Sequence, residues 1–259
     1  MDKIIRTIKR IIYNSGFDIS RIKNLATLQQ PKYIAEITFW RYILKDYILW
    51  YNGNIEKLYE EPTPINNLKV KSYNESASAI LTWFNIHQKT KYKEDLKLDV
   101  NCFKGEKLLD IGSGPIPSAL IFNDCAVYSL DPLHPLYLEA GFPIHIYENR
   151  AKFVYGFSEN MPFENDYFDA IISVNALDHV DNFEATAKEI QRVLKPNGKL
   201  RFHLHYHLAT PTEPLELNDF IVSKGFDWCS GFRKISVSKE KRGTIITDPN
   251  ESYTLWSNF

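Results

Sequence analysis

The chain has 259 residues, of which 44% are hydrophobic and 24% charged, with a formal net charge of -1. This length suits one large domain or a core with an appendage, and the apolar fraction suffices for a buried interior. A balance so close to zero excludes a global basic field for nucleic acid, so no nucleic-acid partner is expected. Cys102, Cys125 and Cys229 stand far apart with no C-x-x-C spacing. Neither a disulfide framework nor a structural zinc site is expected, and a reducing cytoplasm is the natural compartment.

No apolar run reaches the length of a membrane span, and the start of the chain lacks the pattern of a signal peptide. It reads MDKIIRTIKRII, with Ile4, Ile5, Ile8, Ile11 and Ile12 on one helical stripe and Lys3, Arg6, Lys9 and Arg10 around it. Such a helix either docks on its own domain or makes a weak membrane-surface contact through residues 1–12. Next, KYIAEITFWRYILKDYILWY (32–51) puts Ile34, Ile37, Leu44, Tyr47 and Ile48 at helical spacing. EEPTPINN (60–67) is a breaker-rich linker. SYNESASAILTWFNIHQ (72–88) resumes a helical pattern, with Asn74 or Ser76 as its cap. Residues 1–103 are therefore expected to form a helical N-terminal region that caps the ligand side of the core and helps build its pocket, with Trp40, Arg41 and Tyr42 at the rim.

Beyond about residue 104 short apolar runs alternate with helical segments, the pattern of a parallel sheet with crossover helices. KLLDI, AVYSLD, KFVYGF, DAIISVNA and KLRFHLHYHL are the expected strands. NFEATAKEIQRVLKPNG is expected to be a helix ending near Pro196, with a turn at Asn197-Gly198, and a second helix covers LELNDFIVSKG. Residues 227–259 suggest a terminal β-hairpin. The expectation is an α/β fold: a Rossmann-like, doubly wound, mostly parallel sheet over residues 104–259. Ligands of such sheets sit beyond the carboxyl ends of the strands, where the strand order reverses.

The segment KLLDIGSGPIPSAL (107–120) ends a strand near Asp110 and turns through Gly112, Ser113 and Gly114. A P-loop needs G-x-x-x-x-G-K-[ST], which is absent, and a dinucleotide fingerprint needs glycine where Pro117 stands. What survives is D-x-G-x-G, a backbone that lets a ligand without phosphate approach. About twenty residues on, Asp131 ends AVYSLD where a ribose-binding carboxylate belongs, although a D-P turn made with Pro132 also accounts for it.

Taken in order, LLDIGSGP, SLDPL, GFSENMPFENDYFDAIISVNALDHV and EIQRVLKPNGKL resemble the class I S-adenosylmethionine-dependent methyltransferases. The nearest group is the one typified by ubiquinone and menaquinone biosynthesis methyltransferases, over about residues 105–205. The resemblance implies S-adenosyl-L-methionine as cofactor, with Asp110, Gly112, Ser113 and Gly114 at its methionine and ribose. It implies further that Asp131 holds the ribose hydroxyls, that Pro132 and Leu133 lie near the adenine, and that Phe157, Ser158 and Glu159 flank that ring. Asn175 and Ala176 would approach cofactor and acceptor. Two departures stand out: Ile116 replaces the family's third glycine, and Phe157 stands where many relatives place an aspartate.

Asn175-Ala176-Leu177-Asp178-His179 is not N-P-P-[YF], which argues against amino-directed methyl transfer to bases or glutamine. Asp178 is read as a ligand contact or as the cap of the following helix, and His179 as a general base or a structural residue. In HLHYHL, His203, His205 and His207 share one face, and a central strand with three imidazoles calls for a reason. His205 and His207, near the strand end, are candidate bases, whereas His203 is expected to be structural. A metal triad on alternate residues of one strand is not expected without bending. TPTEPLELNDF adds hydroxyls and carboxylates at the same rim. That rim, with EITFW, is similar to bacterial sugar and surface-polysaccharide methyltransferases. The expected function is O-methylation of a sugar or glycan-precursor hydroxyl. Methylation of another small metabolite, or a non-catalytic cofactor-binding regulator, remain as alternatives, and the oligomeric state is not indicated.

Overall fold

The computed structural model describes residues 30–51, 89–147, 149–241 and 244–259. The amphipathic residues 1–12, the linker at 60–67 and the expected helix at 72–88 lie outside the described residues. Helix α1 runs over Pro31–Tyr51 and α2 over Lys89–Leu96. The core follows with β1 (Lys107–Ile111), β2 (Ala126–Asp131), α3 (His134–Glu139), β3 (Ala151–Tyr155) and β4 (Phe168–Val174). It continues with α4 (Phe183–Val193), β5 (Leu194–Tyr206), α5 (Asp219–Gly225), β6 (Arg233–Ser238), a short β7–β8 ribbon (Glu240–Lys241, Thr244–Ile245) and β9 (Ser252–Ser257).

Seven strands form one sheet in the order β3-β2-β1-β4-β5-β9-β6. Strands β3 to β5 pair in parallel, and β9 runs antiparallel between β5 and β6. Strands β1 and β4 are buried almost throughout, as central strands covered on both faces must be. Leu109, Ile171, Leu200, Phe202 and Leu204 pack with Ile190 and Val193 of α4, Val222 of α5 and Phe226 just after it on one face. Leu108, Ala170, Ile172 and Leu255 meet Tyr92, Leu96 and Phe103 on the other.

The strand order reverses between β1 and β4, the position where ligands bind in sheets of this topology. Two backbone turns open that crevice. Gly112 and Gly114, after β1, have φ of 69° and 67°, and Asn175, after β4, has φ of 50°. These are left-handed conformations that glycine and asparagine tolerate best.

Three boundaries differ from the sequence reading. Helix α4 ends at Val193 rather than near Pro196, because Lys195 precedes a proline and is excluded from helical backbone. The tail is not an isolated hairpin. Its second strand, β9, inserts beside β5 and carries the first one, β6, as the sheet edge. In α1, Ile37 and Leu44 are buried but Ile34 is 49% exposed, so the apolar stripe is narrower than its spacing suggests. Helix α1 packs by Tyr33, Ile37 and Leu44 on Tyr137 and Phe142, and Trp40 meets both rings edge-on at 5.9 and 6.3 Å. Among the described residues no helix is long and apolar enough to cross a membrane.

The tightest constraint is at Gly112, where an added Cβ would lie 2.2 Å from the Ala176 Cβ. Gly112→Ala is expected to destabilise the protein by about 2 kcal/mol or more, left-handed strain and overpacking acting together. A lowered thermal unfolding midpoint would register it, and an unchanged midpoint would show that the two loops are not packed as described.

Candidate active site

A cavity of about 510 Å³ opens at the switch point. One wall is the glycine turn with Asp131 and Pro132, the next is Gly156 to Glu159, and a third is Asn175 and Ala176. Helix α1 closes the top through Tyr33, Glu36 and Trp40. At the far end stand His179, His205, Thr212, Glu213 and Tyr253.

Asp131 is 5% exposed, and both of its oxygens accept backbone hydrogen bonds. Oδ2 takes the Gly114 N–H at 2.9 Å and Oδ1 the Leu133 N–H at 2.8 Å. Asp131 caps the turn before Pro132, as one of the two sequence readings has it, and it also lines the cavity. Burial raises its pKa; the two N–H groups oppose that, Glu36 adds to it, and the balance lies at about 7. A carboxylate has lone pairs beyond those the two N–H groups take, and Asp131 borders the cavity, where ligand hydroxyls could reach it.

Two residues of the expected cofactor set stand behind the cavity wall. Leu133 is buried in the cluster under α1, and only its N–H reaches toward the site, through Asp131. Asp110 is fully buried and accepts from the Tyr92 hydroxyl at 3.2 Å, its pKa pushed well up by desolvation. Ser158 Oγ lies 3.0 Å from Thr186 Oγ1, and Glu159 accepts from the N–H groups of Asp181 and Asn182 at 2.7 and 3.2 Å. The Gly156–Glu159 wall is thus tied to the start of α4.

The far end of the cavity is built from histidines and carboxylates. His203 donates from Nδ1 to the Asn175 side chain at 2.8 Å and stacks on Tyr253, which makes it structural. His205 also stacks on Tyr253, its ring 4.5 Å away, and its Nε2 lies 2.9 Å from Glu251 Oε1. His207 does not line the cavity: its Nδ1 is 2.7 Å from the Leu208 carbonyl and its Nε2 is 3.3 Å from Asp178 Oδ2. The hydrogen bond to Asp178 raises the His207 pKa to about 9 against the effect of burial.

Asp178 is fully buried and does not cap the next helix; Asn182 does so, accepting from the Ala185 N–H at 3.0 Å. His179 is not placed to act as a base. Its Nδ1 lies 3.0 Å from Glu36 Oε1 and its Nε2 3.4 Å from Glu213 Oε1. Burial disfavours its charge, but Glu213 and Glu36 outweigh that and lift its pKa to about 10, while Glu213 is held down at about 2. A group already protonated on both nitrogens ties α1 to the 213 loop instead of accepting protons. Lys32 strengthens the same seam by donating to the His179 carbonyl and to Asp181.

Of the expected rim residues Trp40 lines the cavity, whereas Arg41 faces Glu139 at 4.0 Å. Sequence reasoning did not single out Tyr33, Glu36, Glu251 or Tyr253. Glu213 stood unnamed within TPTEPLELNDF, whose carboxylates were expected at this rim.

Residues 109–202 match the family model described as a methyltransferase domain. A ubiquinone/menaquinone biosynthesis C-methyltransferase of Hahella chejuensis is 31% identical over 109 residues, 42% of this chain and 38% of that protein. A demethylmenaquinone methyltransferase of Clavibacter sepedonicus is 30% identical over 125 residues, 48% of this chain and 47% of that protein. The chain thus spans less than half the length of these two relatives. The crystal structure of the YcgJ protein of Bacillus subtilis superposes with a TM-score of 0.50 at 16% identity, covering 66% of this chain and 97% of that one. The matched segment contains the glycine turn, Asp131 and the Asn175–Ala176 wall, and over it the chain is similar to the class I S-adenosylmethionine-dependent methyltransferases.

Proposed function

We propose that the protein is an S-adenosylmethionine-dependent methyltransferase acting on a hydroxyl of a polar acceptor, a sugar or a glycan precursor. The observation that carries this reading is the single cavity joining the glycine turn and Asp131 to a far end made of His179, His205, Thr212 and Glu213. The cofactor half fits its ligand by shape and chemistry. The glycine turn brings backbone to the cavity, and the Asp131 carboxylate offers itself to ribose hydroxyls. Phe157, Ser158 and Glu159 would flank the adenine, and Asn175 and Ala176 the methionine end.

When bound, S-adenosylmethionine supplies a methyl group on a sulfonium sulfur, which keeps the electron pair of the broken bond as a nucleophile takes the carbon. The residues of this chain then have to exclude water, orient the acceptor and take its proton. Helix α1 is the cap: Tyr33, Glu36 and Trp40 cover the cavity and Lys32 fastens them to the core. His205 is the proton acceptor we favour, since Glu251 fixes its Nε2–H and leaves Nδ1 bare. The family match ends at Phe202, before His205, Glu213 and Tyr253, and the relatives named for ubiquinone/menaquinone biosynthesis cover less than half of this chain. An end lined by imidazoles and carboxylates suits a hydroxylated acceptor better than an apolar quinone ring.

Two outcomes test this reading. His205→Ala is expected to lower methyl transfer by about a hundredfold or more while leaving cofactor affinity nearly intact. The measurement is turnover of labelled S-adenosylmethionine over a panel of sugars, nucleotide sugars, small phenols and quinols. Transfer confined to quinols would overturn the sugar reading, and cofactor binding without turnover on any acceptor would favour a regulator. The second outcome is a pH dependence. The ionised form of Asp131 is the one that accepts ribose hydroxyls, and its pKa of about 7 means protonation competes with binding below neutrality. Cofactor affinity is expected to fall by up to about tenfold per pH unit as pH drops below 7, and Asp131→Asn should flatten that slope. A wild-type affinity that holds constant down to pH 5 would place the ribose elsewhere.

A further inference from the structure

We propose that Asp178, His205, His207 and Glu213 form a binding site for one first-row divalent metal ion at the acceptor end of the cavity. One ligand atom from each of these residues lies within 4.8 Å of all the others. Asp178 Oδ2 is 3.3 Å from His207 Nε2 and 3.9 Å from His205 Nδ1, and Glu213 Oε2 is 4.0 Å from His207 Nε2. Four ligands around zinc at about 2.0–2.2 Å stand about 3.3 Å apart, so modest side-chain movement closes the set.

The hydrogen bonds around the cluster aim lone pairs inward. The Leu208 carbonyl can only accept, so His207 carries a proton on Nδ1 and turns Nε2 to Asp178. Glu251 takes the Nε2–H of His205 in the same way and leaves Nδ1 directed at the same carboxylate oxygen. Each ring thus has an outer acceptor that fixes its tautomer, the arrangement found behind metal-ligating histidines. Two imidazole lone pairs converging on a carboxylate oxygen need a shared cation between them, a proton or a metal ion.

A second observation is independent of that convergence. Asp178 is fully buried, and among the described residues its Oδ1 has no hydrogen-bond partner. An orphaned carboxylate oxygen away from water is costly unless a cation neutralises the group. Mixed imidazole and carboxylate donors without thiolate suit Zn²⁺, Mn²⁺ or Fe²⁺ better than Cu⁺, and two imidazoles disfavour Mg²⁺ and Ca²⁺.

The site rests on the acceptor-end reading above, because His205 and Glu213 line the cavity while Asp178 and His207 lie behind it. An ion held there would turn one open coordination position to the cavity, where an acceptor oxygen could bind. Its charge would lower the pKa of that hydroxyl, whose proton would leave to water at the cavity mouth. His205 would then act as a ligand and not as the base.

The test is calorimetric titration of the chelator-treated full chain with Zn²⁺, Mn²⁺ and Mg²⁺, without cofactor or acceptor, followed by the visible spectrum of the Co²⁺ form. One Zn²⁺ or Mn²⁺ per chain is expected at micromolar affinity or tighter, with Mg²⁺ far weaker. Asp178→Asn and His207→Gln should each weaken it by about a hundredfold. Glu213→Gln serves if either of these fails to fold, and S-adenosylhomocysteine affinity reports folding in every variant. Absence of stoichiometric binding, or binding that folded variants leave unchanged, would overturn the proposal; the second result would mean an adventitious surface ion only. Loss of the metal site would leave methyl transfer with His205 as base, whereas metal binding without transfer to any hydroxyl would sink the function and spare the site.

Discussion

The arrangement of the cavity depends on one buried carboxylate. Asp131 closes β2, and by accepting the N–H of Gly114 it holds the turn that follows β1; by accepting the N–H of Leu133 it starts α3. A strand end, a neighbouring strand's turn and a helix start are thereby fixed to one side chain. The cost is electrostatic, since burial makes the charged form hard to keep and two amide dipoles only partly compensate. A carboxylate that both builds the turn and borders the cavity is poised to meet a ligand rich in hydroxyl groups.

The other end of the cavity solves the opposite problem. Asp178 is as deeply buried, but it is surrounded by imidazoles rather than by amides. Its neighbours are held in turn by Glu251, Glu213 and the Leu208 carbonyl. Hydrogen-bonded carboxylate–imidazole chains of this kind set the orientation of every member. This is why His179, locally as good a candidate base as His205, behaves differently: it sits between Glu36 and Glu213 and stays charged.

The parallel part of the sheet was legible because buried strands advertise themselves as short apolar runs. KLLDI and AVYSLD coincide with β1 and β2, and the other strands shift by a few residues. The glycine turn and Asp131 were legible for a related reason: D-x-G-x-G followed by a second strand-ending carboxylate is a local pattern with one geometric use. The place of β9 was not legible. Insertion of a C-terminal strand beside β5 is a long-range pairing, and nothing in SYTLWS distinguishes it from an outer hairpin strand. Glu36, Glu251 and Tyr253 were missed for the same reason, each reaching the site from an element distant in the chain.

This division has a physical origin. The walls of the cavity at the glycine turn and Asp131 come from the ends of neighbouring strands, so their spacing is dictated by the βαβ repeat and survives as a motif. The far end is lined from α1, from the loop after β4, from the 213 loop and from β9, whose mutual distances along the chain are arbitrary. Tyr253 illustrates the point. Its ring lies parallel to both His203 and His205, within 9° of each, and so sets the plane in which His205 presents its nitrogens. That plane follows from the register pairing His205 with Tyr253 across β5 and β9, which also puts Glu251 at the strand start within reach of His205. The antiparallel strand added to the sheet is therefore part of the cavity's far end, and a one-residue slip in its register would turn Tyr253 to the other face and take the stacking surface of His205 with it.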